Sequence, residues 1–142
     1  MTLTFRYKRV KRPNDIEVKS PSIPVVLSGV GSKYQFIALL DSGADVSVIP
    51  KEVAELLGLD LNKKKEEARG IGGIVPAIQT NINIELGKPD EMYSFNIPVK
   101  VILSEIDEEI PVLLGRAGFF DKFVISFDQK EERVTLKRNV NS

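Results

Sequence analysis

Apolar residues recur at every second position over much of this chain. Leu3, Phe5 and Tyr7 alternate with Thr4, Arg6 and Lys8, and Ile82, Ile84 and Leu86 alternate with polar neighbours. A two-residue period predicts strands with one buried face. The same reading predicts strands over 3–10, 23–27, 34–40, 46–49, 124–127 and 133–138, with Gly29-Val30-Gly31-Ser32 turning between the second and third. Residues 67–86 predict a long hairpin folded at Gly70-Ile71-Gly72-Gly73. Lys88-Pro89-Asp90 then turns the chain into 93–103, where Pro98 and interspersed polar residues predict an exposed or edge strand, because proline cannot donate to a ladder. Pro50 permits a helix start, and Val53, Leu56 and Leu57 keep helical spacing until Gly58. Phe119, Phe120 and Phe123 share that spacing, and Asp128 to Glu132 turn the last hairpin. The expected fold is all-β, a closed barrel with one or two short helices.

Candidate chemistry sits at Leu39-Leu40-Asp41-Ser42-Gly43-Ala44-Asp45, a polar turn directly after the apolar run Phe36-Ile37-Ala38-Leu39-Leu40. Asp, Ser and Gly are ordinary turn residues, so the tripeptide alone also fits a plain strand ending. The second apolar run, Val46-Ser47-Val48-Ile49, changes the picture. A carboxylate pinned between two buried strands is rigid and partly dry, which acid/base work needs.

One aspartate cannot hydrolyse an amide this way. A base must take a proton from water while an acid gives one to the carbonyl, so a second carboxylate must face the first. Asp15, Asp60, Asp90, Asp107, Asp121 and Asp128 are followed by Ile, Leu, Glu, Glu, Lys and Gln, and none begins a second Asp-Ser/Thr-Gly. The chain encodes one half-site, and a two-fold axis through the turn would set Asp41 opposite its symmetry mate. Two like charges about 4 Å apart repel by roughly 4 kcal/mol at an effective dielectric near 20. Such a pair shares one proton near mildly acidic pH, the aspartic-protease dyad being the standard instance.

Three ordered segments resemble the retropepsin-like aspartic proteases. Leu40-Asp41-Ser42-Gly43-Ala44-Asp45 is similar to the family's catalytic turn; Gly70-Ile71-Gly72-Gly73 is similar to the tip of its flap; Val112-Leu113-Leu114-Gly115-Arg116 is similar to its apolar-apolar-Gly-Arg segment. The resemblance spans residues 34 to about 120 and implies a retropepsin-like acid-protease barrel with one half-site per chain, acting as a homodimer on polypeptide substrates. It implies that Asp41 is catalytic, that Ser42 and Gly43 support the dyad, and that Ala44, Asp45, Gly70, Ile71, Gly72 and Gly73 contact substrate. It also implies an ion pair between Asp45 and Arg116, expected here to be poorly hydrated. Ser42 replaces the commoner Thr, and the extra length is closer to the cellular and prokaryotic branch than to the minimal retroviral protomer. The rival reading is a non-catalytic peptide-binding or assembly dimer that keeps the cleft, and a more distant one is a structural dimer with an Asx turn at Asp41.

Composition narrows the chemistry further. The 142 residues fit one domain, with 1–22 as an N-terminal extension or strand and 23–138 as the protease core. The absence of cysteine and histidine removes thiol nucleophiles, disulfides, the usual base of serine hydrolases and most zinc sites. No metal or cofactor is expected. Twenty basic and twenty acidic residues cancel, which argues against nucleic acid as a partner. Arg6, Lys8, Arg9, Lys11 and Arg12 interleave with Phe5, Tyr7 and Val10 in a pattern able to bind nucleic acid or an anionic surface, although the neutral total favours a solvated strand face or frayed arm. No apolar leader or membrane-length run is evident, so the expected location is cytoplasmic, away from membranes.

Overall fold

The computed structural model describes residues 2–11, 17–70, 73–104 and 110–139. Arg12, Ile71, Gly72 and the acidic run from Glu105 to Glu109 fall outside the described residues. Among the described residues twelve strands carry the fold: β1 (Thr2–Arg6), β2 (Lys8–Lys11), β3 (Glu17–Ser20), β4 (Ser22–Ser28), β5 (Lys33–Leu40), β6 (Ser47–Pro50), β7 (Glu66–Gly70), β8 (Gly73–Lys88), β9 (Glu91–Ile102), β10 (Val112–Leu114), β11 (Phe123–Asp128) and β12 (Arg133–Arg138). Among the described residues, one helix, α1 (Lys51–Leu56), and a 3-10 turn over Phe120–Lys122 accompany them. No helix among the described residues is long and apolar enough to cross a membrane.

Six strands pair in the order β4, β5, β10, β6, β9, β8, and β8 returns to β4 through Glu85 opposite Val26 and Ile84 opposite Leu27. The pairings therefore form a closed ring. Alternation along β8 explains how: Ile78, Ile82, Ile84 and Leu86 all point into the core, together with Ile97, Val99 and Val101 of β9. Each such side chain contributes roughly 1.5–3 kcal/mol on leaving water. β7 pairs only with the first residues of β8, Gly73 to Ala77, so this hairpin projects from the ring.

A second sheet, β1-β12-β11, packs on the same core. Leu3 faces Leu136 and Phe5 faces Val134 across the β1–β12 ladder, and all four are buried among the ring's side chains. The alternation over 3–10 is divided at Tyr7, whose N–H donates to the Glu132 carbonyl at 2.8 Å; β1 then ends on β12 while β2 turns to β3. Apolar periodicity reports the buried face, and it does not report a change of partner.

Two other expectations change in detail. β9 is flanked by β8 along its whole length but gains β6 only from Val99 onward, just past Pro98. Glu91 to Pro98 is an edge, and Val99 to Ile102 lies inside the sheet. In the helix, Val53, Ala54 and Leu57 are buried while Leu56 is half exposed, so the apolar stripe runs through Ala54 rather than Leu56.

The three phenylalanines near the C-terminus form a short turn and not a longer helix. Phe119 is fully buried, with ring centroids 5.4 Å from Phe123, 6.1 Å from Phe120 and 6.2 Å from Phe95. Truncating it empties the junction between the turn and β9. Phe119→Ala should destabilise the fold by about 3–5 kcal/mol, read as a lowered urea midpoint with the denaturant slope unchanged.

Candidate active site

The chain leaves β5 at Leu40 and re-enters the sheet in β6 at Ser47, yet β5 and β6 are not neighbours. β10 lies between them, parallel to β5 with Leu114 opposite Leu40, and antiparallel to β6 with Leu113 opposite Val48. Residues 41–46 must therefore cross over the end of β10. Gly115, Arg116 and Ala117, directly after β10, tie that crossing down.

The ties are mostly backbone bonds. Asp41 N–H donates to the Leu114 carbonyl at 3.0 Å, Arg116 N–H to the Ala44 carbonyl at 2.9 Å, and Ala117 N–H to the Asp45 carbonyl at 2.9 Å. Gly115 N–H donates to Ser47 Oγ at 3.0 Å in a buried contact. Gly115 has no room for a side chain: a Cβ there would sit 2.5 Å from the Val46 carbonyl carbon and 2.9 Å from the Ala44 oxygen. Within the loop, Ala44 N–H closes a turn onto the Asp41 carbonyl at 3.2 Å, and Gly43 N–H donates to Asp41 Oδ1 at 2.9 Å. Oδ1 is thus fixed. Oδ2 has no hydrogen-bond partner among the described residues.

Asp41 and Ala44 are half-buried, whereas Ser42, Gly43 and Asp45 are exposed. The loop presents one fixed carboxylate at its base and a bare tip. Arg116 Nη2 contacts Asp45 Oδ1, which neutralises the second carboxylate of the loop and leaves Asp41 without a cationic partner among the described residues. The pair is not the poorly hydrated one expected. In this chain the Arg116 side chain is 58% exposed and that of Asp45 88%, because both project from the loop into solvent.

Gly70 pairs with Gly73 at the end of the β7–β8 hairpin, and Ile71 and Gly72 lie outside the described residues. Gly73 has φ +118, a left-handed conformation that a β-branched residue resists, and a Cβ there would meet nothing within 4 Å. Ile74 is exposed beside it. Ser47 is a participant that sequence reasoning passed over. The signal was a lone hydroxyl on the inward face of Val46-Ser47-Val48-Ile49, where a buried polar atom demands a partner. Among the described residues no three His, Cys, Asp or Glu side chains gather into a set that could hold a metal ion.

Steric and ionic contributions to the loop separate by mutation. Gly115→Ala should destabilise by about 1–3 kcal/mol through overpacking against Val46. Arg116→Ala, breaking a solvated pair, should cost under about 1 kcal/mol. Thermal unfolding of the two variants side by side checks the order.

Residues 23–117 match the family model described as aspartyl protease. Among solved structures, a retropepsin-like aspartic protease from Rickettsia conorii is similar over 96% of this chain and 90% of its own, with 23% identity and a TM-score of 0.58, which shows a shared fold. The EIAV protease complexed with the inhibitor HBY-793 aligns over 69% of this chain and 83% of its own at 25% identity and a TM-score of 0.45. The retroviral protease-like domain of Ddi1 from Leishmania major aligns over 88% and 99% at 17% identity and a TM-score of 0.49. We find no match among curated proteins. The matched segment runs from β4 through the Asp41 turn to the Gly115-Arg116 ties that hold it, and on that ground the chain belongs to the aspartyl protease family.

Proposed function

We propose that this protein is an aspartic endopeptidase whose active site is built by two copies of the chain. The observation that supports it best is the Asp41 carboxylate, with Oδ1 held by Gly43 N–H and Oδ2 unpartnered among the described residues, on a loop whose tip is exposed. The sequence holds no second Asp-Ser/Thr-Gly, so the facing carboxylate comes from a homodimer partner. Residues 1–142 act in this reading as one domain, closed into a retropepsin-like barrel.

The chemistry rests on a pair that shares one proton. The ionised carboxylate takes a proton from water, the water oxygen attacks the peptide carbonyl carbon, and the protonated carboxyl gives its proton to the carbonyl oxygen. Proton return to the amide nitrogen then releases the amine as the carbon–nitrogen bond breaks. Ser42, exposed and without a side-chain partner among the described residues, reaches across the axis, and Gly43 holds the acid in place. Ala44, Asp45 and the hairpin tip from Gly70 to Gly73 contact the peptide, with Ile71 and Gly72 closing over it. Arg116 keeps Asp45 neutralised so that the extra charge does not repel the dyad.

Asp41→Asn keeps the turn but removes the base, so peptide cleavage should fall by about two to four orders of magnitude with the melting temperature preserved. Mixing parent and Asp41→Asn chains in equal amounts, with exchange allowed, should halve the activity per parent chain, because half of the parent chains then sit in mixed dimers. Full retention of activity per parent chain would show a site complete in one chain. Cleavage of a random peptide library should pass through a maximum at acidic to mildly acidic pH and fall on either side, as the pair gains or loses its shared proton. If no peptide is cleaved at any pH but peptides still bind, the cleft serves a binding or assembly dimer.

The hairpin tip is tested separately. Gly73→Val forces a β-branched residue to φ +118, so turnover should drop by more than ten-fold while unfolding midpoints move little. Parental kinetics in that variant would remove the tip from the site.

A further inference from the structure

We propose that the end of the β1–β12 sheet is a binding site for a small polyanion carrying two or more phosphate groups. A cleft of about 510 Å³ opens there, lined by Thr4, Phe5, Arg6, Lys8, Lys88 and Arg133. Four of these six residues are cations and none is an acid. The concentration is local, since the chain as a whole is neutral.

Arg6 and Arg133 are direct partners in the β1–β12 ladder, so two guanidinium groups share one face of adjacent strands. Like charges placed so are mutually destabilising unless something lies between them. Among the described residues, none of the four cations forms an ion pair. None of the acids nearest in register, Asp128 opposite Arg133 and Glu91 opposite Lys88, lines the cleft. Asp128, opposite Arg133 on β11, accepts the Glu131 N–H at 3.0 Å, and Glu132 pairs with Lys19 at 3.7 Å.

The lining also selects the ligand class. Four positive charges match three to five negative ones, which a phosphate chain carries and a single carboxylate does not. Each arginine fork can donate a pair of hydrogen bonds to two oxygens of a tetrahedral phosphate, and the Thr4 hydroxyl can donate one more. Phe5 is buried and Lys88 Nζ lies 5.3 Å from its ring centroid, so no aromatic face is open to stack a nucleobase. The cleft shares no residue with the Asp41 loop, so occupancy and cleavage can be measured apart.

The test is calorimetric titration of the full chain with tripolyphosphate at about 0.15 M ionic strength. The expected result is one tripolyphosphate per chain, an affinity that weakens as salt rises, and a raised melting temperature in its presence. Arg6→Gln combined with Arg133→Gln should weaken binding at least ten-fold. The same double variant without ligand should melt no lower than the parent, since its loss relieves the facing charges. Lys64→Gln combined with Lys65→Gln removes equal charge at an exposed, distant segment and should leave binding unchanged. Absent binding, equal weakening in both double variants, or tighter binding of a single-stranded oligonucleotide than of tripolyphosphate would each overturn the proposal.

Discussion

The passage of β10 between β5 and β6 is the constraint on which the candidate site depends. Two strand spacings separate β5 from β6, roughly 10 Å, and six residues from Asp41 to Val46 cross that gap. Fully extended, six residues reach about 20 Å, so the loop has slack enough for a turn and an Asx bond. The residues after β10 remove the remaining freedom, because Arg116 and Ala117 take the loop's carbonyls in sequence. Gly115 makes the approach possible by offering no atom to collide with Val46.

Backbone bonding, and not charge, therefore holds the turn. A solvated Arg116–Asp45 pair contributes little to stability, but it changes the local field by cancelling one of two carboxylates four residues apart. The arginine's position is set by the glycine before it: once Gly115 has passed under Val46, the next side chain emerges beside Asp45. Steric fit and electrostatic tuning are thus encoded in adjacent residues with different demands.

Much of this was legible in the residues alone. Period-two alternation located β4, β8 and β12 because each buries one face, the apolar run from Phe36 to Leu40 located β5, and Asp41 stood out as a polar turn between apolar runs, while Gly115 and Arg116 were picked out by their resemblance to the family's apolar-apolar-Gly-Arg segment. The misjudged features share a cause. Tyr7 divides two strands, Pro98 marks where β6 joins β9, and Ala54 replaces Leu56 in the core, and each depends on which element lies alongside. Exposure of the Asp45–Arg116 pair was likewise invisible, since an ion pair implied by a resemblance carries no information about the solvent around it. Ser47 escaped notice because its partner, the Gly115 N–H, lies 68 residues away.

That separation has a consequence for how the protein is made. The Asp41 turn takes its bonds from Leu114, Gly115, Arg116 and Ala117, so during synthesis it stays unassembled until most of the chain has emerged. Contacts of such long range form late, after local hairpins such as β8–β9 have already closed. A ribosome-bound chain lacking residue 117 carries the aspartate but not its geometry. The arrival of Leu114 to Ala117 beside it is what turns an ordinary acidic residue into a positioned one.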